Sequence, residues 1–484
     1  MNLPLFWGKM PKIFLACFLY FLPFAEQLFA QDLSDKWSLT RCFEYAEQNN
    51  VQLKQLQLQT QSALINEQQS RSDRLPNFNA NASGLGNIGR SLDPYTNTFS
   101  TDATFATQFS LNSSVQLYNG GQRKNTVVQR GMELELTRLQ SKESAYNLKL
   151  GILGAYLQIL LSQAQVEVLK AQAKLTQDQL QRAQKLVQAG MIPAGDLLDI
   201  EAQIANDQFN QSNGQNAIQS AYLSLRQQLD YYEEPFEVEI PNIAAPSPAE
   251  LQQRQPQMVL EQALQTQPSL RTIAQQGNIA AQRKKVAAGA RYPIVTLNTS
   301  LNTTYASAAK QIESLTLPDA GSPTYYVTTG GDLVLSYQPT PVLSSTPFFT
   351  QIGDNFGGSI SLNVVVPIFN NYRVRNTLSL AQINMDNNRL AQQNTQNALR
   401  RNIEQAFLDA RAALERYNSA QANIVALENA LNYTEKRYQL GAVSTFDFLN
   451  AKTRLATTRL QQEAARYEYY FRLKILDFYA GKPL

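Results

Sequence analysis

Two hydrophobic periodicities alternate along this chain, and the alternation occurs twice. The first has period 2. Phe78, Ala80, Ala82 and Gly84 alternate with Asn77, Asn79, Asn81 and Ser83, and Phe105, Thr107, Phe109, Leu111, Val115 and Leu117 alternate with Ala106, Gln108, Ser110, Asn112, Ser114 and Gln116. Farther along, Val295, Leu297, Thr299 and Leu301 alternate with Thr296, Asn298, Ser300 and Asn302, and Ile360, Leu362, Val364 and Val366 alternate with Ser359, Ser361 and Asn363. Side chains of a strand point alternately to opposite faces, so this spacing predicts two strand pairs, about 77–118 and 294–369, with one apolar face and one small, polar, uncharged face. Each run is about 10–13 residues long, which suits a tilted membrane-spanning strand better than the face of a soluble sandwich.

The second periodicity is helical. Leu150, Leu153, Leu157 and Leu160 recur at coiled-coil spacing, as do Ile424, Leu427 and Leu431. The turns at Asn119-Gly120-Gly121 and Asn370-Asn371 each launch about 70 residues of such pattern, roughly 100 Å as helix. Each long helix breaks once. The first break is Gln188-Ala189-Gly190-Met191-Ile192-Pro193-Ala194-Gly195-Asp196-Leu197-Leu198, and the second is Gln439-Leu440-Gly441-Ala442-Val443-Ser444-Thr445-Phe446-Asp447-Phe448-Leu449. Glycine suits the left-handed position just past a helix end, and an acidic residue then restarts a helix. Each break therefore reads as the tip of an antiparallel helical hairpin, about 120–230 and 371–480. Shorter helices precede the strands, from about Thr40 to Arg74 and from about Val259 to Arg291, closed by Leu75-Pro76 and Tyr292-Pro293.

The two tips belong to one duplication. Gly190 and Gly441 lie 251 residues apart, and the same offset pairs Leu117-Tyr118-Asn119 with Ile368-Phe369-Asn370, Ala155-Tyr156-Leu157 with Ala406-Phe407-Leu408, and Lys185 with Lys436. Upstream the offset is 217, pairing Ala46, Leu53, Ala63, Arg74 and Pro76 with Ala263, Leu270, Ala280, Arg291 and Pro293. The difference is placed in the connection from Ala306 to Asn355, where Gly330-Gly331 suggests a small hairpin. The expected organisation is a first repeat over 31–257, ending in a proline-rich linker at 231–257, and a second over 258–484.

Residues 1–30 read as a secretory signal peptide, with Lys9 and Lys12 ahead of an apolar run from Ile13 to Phe24. Beyond it no stretch reaches 18 consecutive apolar residues, so no transmembrane helix is expected. Outside this segment stand 40 basic and 38 acidic residues, a balance that makes no case for nucleic acid. Cys42 is the one remaining cysteine, so no intramolecular disulfide forms, and histidine is absent. Neither a catalytic base, a glycine-rich phosphate loop nor a metal-ligand cluster stands out, and no enzymatic activity, cofactor or metal is expected. Four strands cannot close a barrel, and open edges are not tolerated in lipid, so membrane strands here imply several subunits sharing one barrel. A periplasmic adaptor, or a coiled-coil structural or adhesive surface protein, is the alternative; it accounts for the helices but not for the four amphipathic strands.

In this order of elements, in Ala288-Gly289-Ala290-Arg291-Tyr292-Pro293, and in the tip Tyr438-x-x-Gly441-x-x-Ser444-x-x-Asp447-x-Leu449, the chain resembles the TolC-like outer-membrane efflux proteins over nearly its whole length. The resemblance implies a homotrimer with a 12-stranded transmembrane β-barrel continuing into a long periplasmic α-helical barrel, located in the outer membrane. It further implies a passive exit duct for efflux or secretion, coupled to a periplasmic adaptor and an inner-membrane pump.

The resemblance also places acidic residues at the positions of Asp447 and Asn450 around a closed periplasmic entrance, where this chain keeps the first acid and replaces the second by Asn450. Asp196 and Asp199 stand at the matching positions of the first repeat. Ser444 to Asp447 also reads as a capping box, which accounts for Asp447 without any entrance role. Phe446 and Phe448 are the candidate wedges that hold the entrance shut. Gly190 and Gly441 read as helix C-caps, and the resemblance makes them, with Ala189, Met191, Leu440 and Ala442, the tips that dock the adaptor.

Overall fold

The computed structural model describes residues 36–482 apart from 93–96, 98, 102, 192, 234–235, 317–323 and 337–338. The signal peptide read in residues 1–30 lies outside the described residues. In chain order the elements are α1 (Leu39–Asn49), α2 (Val51–Ser72), β1 (Asn77–Asn87), β2 (Ser91–Leu92), β3 (Phe99–Ser100), β4 (Thr104–Asn119), α3 (Gln122–Gln188), α4 (Ala194–Leu229), α5 (Pro248–Gln252), α6 (Pro256–Thr266), α7 (Pro268–Gly289), β5 (Ile294–Ala306), β6 (Lys310–Thr316), β7 (Thr324–Val327), β8 (Leu333–Ser336), β9 (Thr340–Ser345), α8 (Phe348–Asp354), β10 (Gly357–Val365), α9 (Arg373–Gln439) and α10 (Thr445–Tyr479). They form two compact units, one of residues 36–54, 144–267 and 399–482, the other of 55–143 and 268–398.

The second unit holds an antiparallel sheet in the order β1-β4-β5-β10. Its register aligns the period-2 pattern across strands. Phe109 faces Ala82 and Thr303, Leu111 faces Ala80 and Leu301, and Leu362 faces Leu297, so the apolar residues of all four strands share one face. Among the described residues nothing covers that face beyond its α8 end, and Phe78, Ile360, Leu362 and Val364 are exposed on it. The other face carries a ladder of short polar side chains. Ser114 Oγ donates to Asn298 Oδ1 at 2.8 Å, Ser300 Oγ to Asn112 Oδ1 at 2.7 Å, and Asn112 Nδ2 to Ser110 Oγ at 3.1 Å. The long connection is more ordered than a loop with one small hairpin. It is a β-ribbon in which β6 pairs with β9 and β7 with β8, followed by α8.

The strands hand over to the long helices through two successive left-handed residues. Gly120 and Gly121 have φ of +65° and +75°, and at the matching positions Asn371 and Tyr372 have φ of +52° and +60°. Gly120 is required for a second reason, because a Cβ built there would lie 2.1 Å from the Gly289 carbonyl oxygen.

In the first unit, Trp37, Phe43, Ile152, Leu153, Tyr156, Ile159, Leu160, Leu225, Leu229 and Phe471 lie in one buried cluster. The 231–257 segment is not a free linker. Trp37 N–H donates to Glu237 O at 2.7 Å and Glu239 N–H to Trp37 O at 3.0 Å, Val238 and Ile243 are buried, and Arg254 binds Asp477 with two hydrogen bonds of 3.0 and 2.7 Å. α3 does contain a stretch apolar enough to cross a membrane. Its apolar residues Ile152, Leu153, Ile159 and Leu160 are buried in this core, which accounts for that composition.

The helix expected over 40–74 breaks at Asn50, and the one expected over 259–291 breaks at Gln267. These two positions are themselves duplicates, 217 residues apart. Asn50 Nδ2 donates to Gln228 O at 3.2 Å, and Gln267 Nε2 donates to Tyr479 O at 2.9 Å; Gln228 and Tyr479 are in turn 251 apart. The residue after each break follows the same logic. Val51 N–H donates to the Asp230 carboxylate at 2.9 Å, whereas the second repeat has Pro268, which has no N–H, and Gly481, which has no carboxylate. Donor and acceptor are lost together, so neither is left without its partner.

Candidate channel entrance at the hairpin tips

Both tips close with the same backbone bonds. At the first, Gly190 N–H donates to Val187 O and Met191 N–H to Leu186 O, each at 2.9 Å. At the second, Gly441 N–H donates to Tyr438 O at 3.0 Å and Ala442 N–H to Arg437 O at 2.8 Å. With φ of +72° at Gly190 and +69° at Gly441, each turn is a Schellman motif with glycine at C′, as the spacing predicted. Ala189, Met191, Leu440 and Ala442 are exposed around these glycines.

The return helices start differently. Ser444 caps α10: its Oγ accepts the Asp447 N–H at 3.1 Å and donates to Asp447 Oδ2 at 2.7 Å, while Oδ2 also accepts the Ser444 N–H at 3.4 Å. At the matching position α4 has Pro193, which offers no side-chain cap. Asp196 thus occupies the place of Asp447 without its serine partner.

α4 and α10 enclose a cleft of about 350 Å³, lined by Asp196, Asp199, Ile200 and Gln203 on one side and by Ser444, Thr445, Phe446, Leu449, Asn450 and Thr453 on the other. The structure therefore brings together Asp196, Asp199, Asn450 and Phe446. Asp447 does not line the cleft, being turned back into its capping box. The two phenylalanines also part company. Phe446 is 72% exposed, whereas Phe448 is 1% exposed, stacked on Tyr438 with centroids 4.9 Å apart and with Lys452 Nζ 4.7 Å from its ring. Two residues apart on a helix is about 200° of rotation, so both cannot face one way. Phe448 is part of the hairpin's own packing and leaves Phe446 as the outward ring. Burial lowers the Lys452 ammonium from the ordinary lysine value, with Glu435 and Asp178 pulling the other way.

Ile200, Gln203, Leu449 and Thr453 were not among the residues expected here. Their spacing held the signal, since 196, 199, 200 and 203 share one helix face, as do 446, 449, 450 and 453. Gln172 Nε2 also donates to Thr453 Oγ1 at 2.8 Å, tying α3 to α10 just behind the cleft.

The model of the family described as outer membrane efflux protein matches residues 43–229 and 259–482. The chain belongs to this family. That the match comes in two stretches fits an internal repeat. The efflux protein is similar in fold to CusC, with a TM-score of 0.72 at 18% identity over 92% of this chain and 92% of that one. It is also similar to the CmeC outer membrane channel of Campylobacter jejuni (0.68, 17%, 92% and 85%) and to the outer membrane protein VceC of Vibrio cholerae (0.70, 17%, 92% and 96%). No curated protein sequence matches it. The family comprises outer-membrane exit channels of tripartite efflux systems, with a membrane β domain and a long periplasmic helical barrel, and this efflux protein is such a channel.

Proposed function

We propose that three copies of this chain form one passive duct that receives its cargo from a periplasmic adaptor and an inner-membrane pump, with the hairpin tips as its entrance. The observation that carries the reading is the sheet: β1 and β10 are edge strands, and one sheet face is apolar while the other is polar and uncharged. Unpaired strand edges are not stable in hydrocarbon, and joining β1 of one copy to β10 of the next removes every edge at once. Three copies give 12 strands, with the serine and asparagine ladder turned to the lumen and the apolar face to lipid. Half-buried seam residues such as Leu157, Ile424 and Leu427 have room to pack against neighbouring copies.

At the entrance, Asp196 and Asp199 supply the negative charge and Asn450 the neutral position. Asp447 acts chiefly as a helix cap, Phe446 as the wedge, and Gly190 and Gly441 with Ala189, Met191, Leu440 and Ala442 as the adaptor-docking turns. Repeated around a threefold axis, the two carboxylates of each copy make a cation-attracting ring, since like charges a few ångströms apart interact by a few kcal/mol at an effective dielectric of about 20. Single-channel recording tests this assignment. Asp196→Asn with Asp199→Asn lowers cation preference, while Asp447→Asn leaves it unchanged and weakens the tip. The opposite pattern returns the charge role to Asp447.

A further inference from the structure

The ribbon that enlarges the second repeat ends in α8, and α8 is fastened to the sheet by one buried side chain. Gln351 is buried, and its amide makes a clamp on backbone: Oε1 accepts the Ala306 N–H at 2.9 Å, and Nε2 donates to Ala306 O at 3.1 Å and to Thr346 O at 2.8 Å. Asn355 Nδ2 donates to Thr304 O at 2.8 Å, and Thr303 Oγ1 to Ile352 O at 2.7 Å. A helix of seven residues held by this many bonds to a strand is a fixed platform.

The platform sits on the apolar face of the sheet. Phe348 packs edge-on against Phe109, with centroids 6.4 Å apart, and against Tyr305 at 5.0 Å, and both of those residues belong to the apolar set in the strand register. It also sits at the far end of the strands from the long helices, because β4 runs from Thr104 toward the turn that starts α3. Phe349 is nonetheless 85% exposed, and Phe356, just beyond the helix, is 62% exposed. Below Phe356 lies an open furrow of about 410 Å³ floored by Ala80 and Ala82 and walled by Phe109, Leu111, Leu301 and Thr303.

We infer that α8 is a membrane-interface anchor, with Phe349 and Phe356 set into the acyl chains of the outer leaflet and the furrow taking a stretch of hydrocarbon. This rests on the outer-membrane channel reading above. Phe356 borders the furrow on the apolar face of the sheet and Phe349 packs on Phe348, and aromatic rings at the rim of a barrel's apolar band favour the boundary between headgroups and chains. A helix lying on that boundary buries its apolar side while its polar groups stay paired, and here Gln351 and Asn355 supply the pairing. The furrow exists because the first-repeat strand carries alanine, not a large side chain, at positions 80 and 82.

The test is lipid quenching of a single introduced indole in the full-length protein. Phe349→Trp and, separately, Phe356→Trp are reconstituted in phosphatidylcholine brominated on the acyl chains near the headgroup, with Leu362→Trp on the apolar face of β10 as reference, each read as a difference from wild type. Quenching of both rim variants by bromolipid to the extent of Leu362→Trp, together with protection from aqueous iodide, supports the anchor. Iodide quenching without bromolipid quenching places α8 in water and overturns it, and protection from both quenchers places α8 under a neighbouring copy and overturns it too. If Leu362→Trp itself escapes bromolipid, the membrane placement of the sheet fails, and the anchor fails with it.

Discussion

Replacing Gly120 by alanine separates two reasons for a glycine at the strand-to-helix turn. Gly121 is left-handed too, at φ +75°, but a Cβ there meets nothing closer than Asn125 Nδ2 at 3.7 Å. Gly121→Ala therefore isolates the backbone cost of a left-handed L-residue, about 1–2 kcal/mol. Gly120→Ala carries the same cost and adds an overlap, with Cβ 2.1 Å from Gly289 O and 2.8 Å from Tyr292 Cβ. Overpacking of this kind costs about 1–3 kcal/mol, and a backbone carbonyl cannot swing aside as a side-chain end can, so the total is about 2–5 kcal/mol, toward the upper end. Gly131→Ala, inside α3 with open space around it, is the control and gains about 0.5–1 kcal/mol. Apparent melting temperatures of the detergent-solubilised proteins should fall in the order Gly131→Ala, wild type, Gly121→Ala, Gly120→Ala, the last well separated. Equal losses for Gly120→Ala and Gly121→Ala would show that the turn has room the structure denies it, and would refute the close-contact argument.

Other outcomes follow from the same geometry. Ser444→Ala removes the α10 capping box and costs about 0.5–2 kcal/mol, read as faster amide exchange at Phe446 and Asp447, while Pro193→Ser supplies Asp196 with a cap and slows exchange at the start of α4. Burial would raise the Asp477 carboxyl, but hydrogen bonds from Arg254 and Lys482 outweigh it and hold the group below the usual carboxylate range. A depressed folded value means stability present above the unfolded value of about 3.9 and lost as pH falls through the folded one. Asp477→Asn thus lowers the melting temperature at neutral pH, by a loss of about 1–3 kcal/mol, and the gap to wild type closes in acid below that range; a gap that persists there would rule out the ion pair as its source. Burial also pushes the Cys42 thiol up to about 12, so the peptide containing it should stay unlabelled by maleimide at pH 8 until denaturant is added.

Much of this architecture was legible because the duplication gives each strand pair of the main sheet and each helical hairpin a second witness. Gly190 and Gly441 could be read as C-caps, and Phe109 and Leu111 as one face of a strand, since local stereochemistry decides both. The break at Asn50 was legible only in part: Asn50 Oδ1 accepts the Leu53 N–H at 3.2 Å, a local N-cap, but its other anchor, the Gln228 carbonyl, lies 178 residues away, and in the second repeat Pro268 marks the same site. The packed 231–257 segment looked like a linker because proline signals extended chain without saying what it packs on; Val238 and Ile243 were the apolar positions that gave it a core to join. At the entrance, the difference between Asp196 and Asp447 was visible in Pro193 against Ser444, because a capping box needs a hydroxyl. The divergence of Phe446 and Phe448 was visible in helix geometry alone. The clamp of Gln351 on Ala306 had no local signature, since its partners are backbone atoms.

The mass of the protein extracted from the outer membrane in mild detergent tests the shared barrel most directly. One chain is 54.2 kDa with its first 30 residues included. Removal of both sheet edges by neighbouring copies predicts a particle of three chains, with no folded single chain in equilibrium with it. A stable, folded monomer in the same detergent would contradict the shared barrel.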